Sequence, residues 1–384
     1  MPHCNTLFHT IASRIPWGVF TRAVAVHRSD RNIRRLPTRA QFMALLFGQI
    51  QGIDTLRGLI ATINSHAPRH YHLGLCRIAR SSLADANAKR PAEVFAAVLS
   101  TLIAKLAPKH AREMGESLRL IDSTSLDLNH MSEDWARFST GVCGAKAHVV
   151  YDPDAACPLY VAVTAQRTND ITVAKQMPID PGATYVFDLG YYDFRWWAKL
   201  HGAGCRIVTR LKRNTPLAVQ AERKVAPGGP IRSDRTGYLP TRLAGSRKNP
   251  MADLVREVVV QIDSGKELRL LTNDLRASAE AIAALYKRRW AIELFFRWIK
   301  QTLKIRHFLG TSENAVRIQV LVALIAYVLL RLAHTALGAA QSPLTMVRLV
   351  KQHLMQRTSL ARLLWGADHP PPEQNQRQES FAWV

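Results

Sequence analysis

Tyr286, Arg289, Glu293 and Lys300 stand at steps of three, four and seven residues in the stretch YKRRWAIELFFRWIK. Those steps follow the 3.6-residue helical period, so on one helix the four side chains share a face. A carboxylate flanked by an arginine and a lysine suits a site in which the acid binds a metal ion and the cations hold phosphate oxygens. A surface helix laced with ion pairs shows the same spacing, so the stretch does not decide the matter alone. Two more carboxylates, Asp122 in SLRLIDSTSLDL and Asp188 in TYVFDLGYYD, each follow an apolar, strand-like run. Asp122, Asp188 and Glu293 brought together would repel one another unless cations lay between them. Hard oxygen ligands favour Mg2+ or Mn2+. Two such ions about 4 Å apart can activate a water and stabilise the leaving oxygen in phosphodiester cleavage.

Other side chains compete for these roles. Asp127 and Asp193 each lie five residues beyond a chosen aspartate, and Asp170 falls in a connection. His148, inside a strand-like run, reads as a core histidine rather than a ligand. Ser123 and Thr124 adjoin Asp122, but no positioned histidine accompanies them as a base would.

The elements that must carry the carboxylates come in a telling order. SLRLIDSTSLDL, AKAHVVYD and PLYVAVTAQ read as three strands of an antiparallel meander, with Asp122 near the end of the first and the turn-rich DPDAAC between the second and third. TYVFDLGYYD gives a fourth strand, FRWWAKLHGAG a helix, CRIVTRLKRN a fifth strand, LRLLTND another, and Ala277–Leu303 one long helix. This order predicts an α/β fold, a mixed sheet flanked by helices, with Asp122 and Asp188 leaving neighbouring strands at one edge. Between Asn214 and Lys266 a segment rich in Pro, Gly, Arg and Lys interrupts the pattern as a β-rich insertion.

Ahead of the sheet the chain reads as helical. QFMALLFGQIQGIDTLRGLIATI has apolar residues at helical spacing, and RIARSSLADANAKRPAEVFAAVLSTLIAKL a further helix with Ser82 as its cap. The loop HRSDRNIRRLPTR brings Arg34 and Arg35 among other basic residues, suited to phosphate contacts, with Ser29 or Asp30 as a helix cap and Pro37 at the boundary. The chain ends in a basic helical segment and the tail HPPPEQNQRQES, whose composition suits disorder.

With 384 residues and 47% apolar content the chain can bury a large core. Its net charge of +23, from 52 basic against 29 acidic residues, repels itself unless a polyanion offsets it, which makes nucleic acid the leading partner. The five cysteines are scattered, odd in number and without zinc-ligand spacing, as reduced thiols in a cytoplasm would be. No secretory signal is evident. The strongest apolar run, Val320–Leu330, has 11 residues against the roughly 20 that span a bilayer. It therefore reads as a core helix, with no membrane partner.

IDST around Asp122, FDLGYYD around Asp188 and the spacing Tyr-x2-Arg-x3-Glu-x6-Lys ending at Lys300 resemble the DDE transposases of the bacterial "insertion sequence four" family. The resemblance implies a ribonuclease H-like catalytic fold with a β insertion between the second aspartate and the glutamate. It implies that Asp122, Asp188 and Glu293 hold two Mg2+ (or Mn2+) ions, and that Tyr286, Arg289 and Lys300 contact transposon-end DNA. Family members cut and paste through a hairpin intermediate as dimers bridging two ends. Trp298 or Trp290 would be spared to stack on a displaced base. The expected organisation is a helical DNA-binding region (1–70), a helical linker (71–115), the first part of the catalytic domain (116–213), the insertion (214–266), the second part (267–340), and a helical end with a disordered tail (341–384). A DNA-binding regulator without catalysis and a metal-dependent nuclease without strand transfer remain as alternatives.

Overall fold

The computed structural model describes residues 5–106, 117–242, 248–262, 264–302, 307–337 and 342–365. The Pro/Gln-rich tail and Leu303 lie outside the described residues. The chain divides into two compact units, residues 103–320 and residues 1–102 with 321–384.

The larger unit is built on one mixed sheet. Strands β1 (Leu118–Leu128), β2 (Arg137–Ser139), β3 (Val142–Asp152), β4 (Cys157–Ala165), β5 (Thr184–Val186), β6 (Arg206–Arg210), β7 (Ala218–Glu222), β8 (Ile231–Tyr238), β9 (Val255–Gln261) and β10 (Glu267–Thr272) belong to it. β1, β3 and β4 form the antiparallel meander, and the turn between β3 and β4 is held by Asp152, whose Oδ1 accepts from the N–H groups of Asp154 and Ala155. β5 runs parallel to β1, and β6 parallel to β5. This is the mixed α/β, ribonuclease H-like order. All three residues of β5 are buried, as expected of a parallel strand with both faces covered.

The segment between 214 and 266 contributes β7, β8 and β9, and these lengthen the same sheet: β10 pairs with β6 and the order continues β9, β8, β7. β10 covers the edge of β6 and β9 that of β10, edges that would otherwise template foreign pairing. Helix Phe194–Gly202, capped by Asp193, which accepts from the Trp196 N–H at 2.9 Å, packs Trp196, Trp197 and Leu200 into a core with Phe187, Tyr191 and Ile207.

Two expectations about elements need correction. Asp122 is not near the end of its strand, because β1 continues to Leu128 through pairing with β3; alternation in a sequence does not show how far a neighbouring strand extends the ladder. The expected helix Ala277–Leu303 is two helices, Ala279–Arg288 and Trp290–Thr302. At the junction the Arg289 N–H bonds the Tyr286 carbonyl and the Ile292 N–H bonds the Arg289 carbonyl, both three residues back, the tighter 3₁₀ pattern that periodicity does not register. The long core helix expected over 312–339 is observed as Glu313–Leu337, and by length and composition it could cross a membrane. In the fold, Val320 and residues Val322–Leu330 are buried.

The other unit is helical. The stretch read as one helix from Gln41 is two, Thr38–Gln51 and Leu56–Ser65: Gly52 ends the first at φ 74°, a left-handed cap that glycine adopts at little cost, and the Thr55 hydroxyl starts the second. Pro91 likewise splits the next stretch into Arg80–Lys89 and Glu93–Leu106, and Ser82 lies inside the first rather than capping it. In the basic loop Asp30 caps helix Thr38–Gln51 from a distance, its Oδ1 accepting from both the N–H and the hydroxyl of Thr38 at 2.7 Å. Residues near the C-terminal end close back on the first helix, Leu7–Ala12: the N–H groups of Leu7 and Phe8 bond the carbonyls of Gln356 and Leu354.

Candidate active site

The strand register places the two aspartates. In the parallel pairing of β1 with β5, Leu118 lies opposite Thr184 and Leu120 opposite Val186. Asp122 and Asp188 each stand two residues beyond the last of these pairs, at the carboxyl end of β5, where open α/β sheets present their functional groups. Asp188 also starts the short turn Leu189–Tyr191, its Oδ1 accepting from the Gly190 N–H at 2.8 Å.

Glu293 comes from helix Trp290–Thr302. Ile292, Phe295, Phe296 and Ile299 are the buried residues of this helix, and Phe295 lies against Tyr151 of β3 at 4.7 Å between ring centroids. That face seats the helix on the sheet and turns Glu293 toward Asp122. Arg289 joins the two acids: its Nη1 lies 3.3 Å from Asp122 Oδ2 and its Nη2 2.5 Å from Glu293 Oε1. Its guanidinium also stands 5.8 Å from the Tyr286 ring centre.

Asp122 is the electrostatic centre of the site. Its side chain is only 17% exposed. Burial, joined by the negative charges of Asp188 and Glu293, pushes its carboxyl up to about 6, against the opposing pull of the Ser123 N–H and Arg289. The half-buried Tyr286 is raised by burial and has Arg289, Arg210 and Asp188 as its charged neighbours. A cleft of about 410 Å³ opens over these groups, lined by Asp122, Ser123, Glu293, Arg297 and Lys300 among others. Among the described residues no three Asp, Glu, His or Cys side chains are grouped so as to hold a metal ion; the Arg289 guanidinium is the cation that joins Asp122 to Glu293.

The other candidates fall elsewhere. Trp298 is half-buried on the same helix, while Trp290 is 49% exposed with Arg297 over its ring at 5.7 Å. Arg34 and Arg35 belong to the helical unit, exposed on the loop before Thr38. Asp193 is a helix cap paired with Lys175 at 2.6 Å, and Asp127 is exposed on β1. His148 is fully buried and bonds the Thr164 hydroxyl through Nε2 at 2.9 Å. Burial, first, and the nearby Lys146 hold its imidazole down to about 4, so it stays neutral. Sequence reasoning named Asp170 only as a competing carboxylate in a connection and passed over Lys146, Arg297 and Tyr191. Asp170 lies in a loop and Lys146 is one of many lysines, and only strand pairing carries them to the site.

A family model described as Transposase DDE domain matches residues 113–329, and a domain of unknown function (DUF4372) matches residues 3–76. A Sinorhizobium fredii (strain NBRC 101917 / NGR234) protein named as transposase y4zB is 40% identical over 314 residues, covering 79% of this chain and 86% of that protein. A Geobacillus stearothermophilus protein named as the transposase of insertion sequence element IS5377 is 31% identical over 262 residues, 67% of this chain and 68% of its own. One from Synechocystis sp. (strain ATCC 27184 / PCC 6803 / Kazusa), named for insertion sequence element IS4SA, is 25% identical over 304 residues, 74% and 80% of the two chains. The chain therefore belongs to the DDE transposases, enzymes that act on DNA phosphodiester bonds.

Proposed function

We propose that this transposase works by cut and paste, binding the terminal inverted repeats of its element, hydrolysing the phosphodiester bonds at the ends and transferring the 3′ end to target DNA. The observation that carries the reading is Arg289 bridging Asp122 and Glu293 while burial, joined by the charges of Asp188 and Glu293, raises the proton affinity of Asp122. Such a set of oxygens is short of positive charge, and its all-carboxylate chemistry fits Mg2+ or Mn2+. Asp122, Asp188 and Glu293 would hold two such ions, which when bound supply an activated water and stabilisation of the leaving oxygen.

The chain's own groups supply the rest. With the charge of the acids met by a divalent ion, Arg289 would be able to grip a phosphate beside Lys300, which lines the same cleft. Tyr286, its ring centre 5.8 Å from the Arg289 guanidinium, contacts the same DNA end, and Trp298 or Trp290 offers a ring for a displaced base. Arg34 and Arg35 contact the phosphate backbone of the end in a region whose charge is otherwise unbalanced. Two copies bridging two ends, in the cytoplasm, complete the reading. Full-length protein incubated with labelled terminal DNA and Mg2+ should yield nicks, hairpins and joined products. Nicks without joined products would reduce the activity to that of a nuclease, and binding without nicks to that of a regulator.

A further inference from the structure

Asp170 stands outside the three carboxylates assigned above, at the start of helix Asp170–Ala174 in the connection between β4 and β5. Its Oδ1 accepts from the Ser123 hydroxyl at 2.9 Å and from Lys146 Nζ at 3.0 Å, and His148 Nδ1 lies 3.5 Å away. Lys146 is anchored in turn by the Thr168 carbonyl at 3.2 Å. In the β1–β3 register Ser123 is opposite His148 and Ser125 opposite Lys146, which puts Ser123, Lys146 and His148 on one face of the sheet. Successive side chains alternate between faces, so Asp122 projects to the other face, and the hydrogen-bonded link to it from Asp170 runs through Ser123.

Ser123 is therefore held at both of its donors: the hydroxyl donates to Asp170, and the N–H donates to Asp122 Oδ1 at 2.8 Å. The second aspartate borders the same unit. A Cβ at Gly190 would lie 3.0 Å from Asp188 Oδ1 and 3.3 Å from Asp170 Oδ2, so only a glycine lets both carboxylates approach this point freely. The buried Tyr191 hydroxyl belongs to the same cluster, with Asp122, Asp170, Asp188 and Ser123 as its neighbours. A lone ion pair bracing a loop would require none of these contacts with the acidic edge.

We propose that Asp170, neutralised by Lys146, is a positioning residue that acts through Ser123 to fix the direction of the Asp122 carboxylate, and thereby sets the affinity of the acidic site for a divalent cation. The proposal rests on the assignment of Asp122 as a metal-holding residue. Groups that orient ligands from behind are worth roughly 10- to 100-fold in metal affinity or activity.

The test titrates Mn2+ alone into the full-length chain by calorimetry and, separately, measures cleavage of terminal DNA against Mn2+ concentration. Asp170→Asn and Ser123→Ala should each weaken Mn2+ binding about 10- to 100-fold and raise the Mn2+ needed for half-maximal cleavage in step, with the rate recovering at saturating ion. Ser123→Thr, which keeps the hydroxyl, should restore the native midpoint, a rescue that a packing role alone would not give. Native Mn2+ affinity in Ser123→Ala overturns the proposal. Should Asp170→Asn fail to fold, the alanine and threonine variants at Ser123 decide it, and equal midpoints in the two count against it. Asp122→Asn separates the two levels: if it still binds Mn2+ and cleaves, the underlying assignment is wrong, whereas loss in Asp122→Asn beside native behaviour in Ser123→Ala removes only the positioning role.

Discussion

The two halves of the large sheet both shelter acidic side chains, and apart from Asp152, matched by Arg119 at 2.9 Å, and Asp170, matched by Lys146 at 3.0 Å, they treat them in opposite ways. Toward β8, β9 and β10 each buried acid has its own arginine. Asp234 accepts both Nε and Nη2 of Arg256 at 2.7 Å, and Glu257 is paired with Arg269, which also donates to the carbonyls of Lys212, Arg213 and Thr215. Around β1 and β5, Arg289 serves both Asp122 and Glu293, and Asp188 lies close enough to add to the repulsion. A matched buried pair holds a fold in one arrangement. An acidic cluster short of matched cations retains charge for something that arrives later, and on the proposed function that something would be a divalent ion with its phosphate.

The sharpest way to break the contrast is to remove acids from the deficient half. Asp122→Ala, Asp188→Ala or Glu293→Ala should abolish strand cleavage in Mg2+ while binding of terminal DNA, followed by gel shift, stays near native. Full cleavage by any of the three would undo the assignment. In the matched half the damage should fall on stability. Arg256→Met strands a buried Asp234 and should cost about 3–5 kcal/mol in chemical denaturation, and adding Asp234→Leu should recover most of it. A single variant as harmful as the pair would mean that packing, not charge matching, holds these strands.

The pH dependence separates the halves further. A carboxyl raised from its ordinary 3.8 to about 6 binds its proton more tightly in the folded protein, so its contribution to stability is complete below about 3.8 and is lost as pH rises through about 6. Asp122→Asn should therefore stabilise the metal-free protein above pH 6 by roughly 3 kcal/mol, with the gain vanishing near pH 4 in thermal melts. No gain at pH 7 would show that Arg289 already satisfies the site. Smaller again, Lys300→Ala should weaken end complexes and reduce the slope of log affinity against log salt by about 1; an unchanged slope would leave Lys300 a helix residue only. The exposed pair Arg288–Asp154 sets the floor: Asp154→Ala should shift stability by less than about 1 kcal/mol.

Much of this architecture is legible in the residues. The alternation in SLRLIDSTSLDL and the apolar run before Asp188 mark strands because a half-buried strand must alternate and a doubly covered one need not. The Tyr286–Lys300 spacing marks helix for a similar reason. What resists reading is whatever depends on partners distant in sequence. The tight turn at Arg289 follows no local signal, since its side chain answers to Asp122, 167 residues earlier. Asp170 looks like one aspartate among several in a loop until β1 and β3 pair and bring Ser123, Lys146 and His148 to face it.

The sequence by itself determined the order of strands and helices, the basic excess that calls for a polyanion, and the residue types from which an acidic site can be made. These are properties of composition and short-range period. Only the tertiary structure decided that Asp122 and Asp188 stand in matching register on parallel neighbours and that Arg289 joins Asp122 to Glu293. It alone decided, too, that a fourth carboxylate backs the first through a serine. Those depend on which strand lies beside which, and burial fixes that pairing across more than a hundred residues of chain.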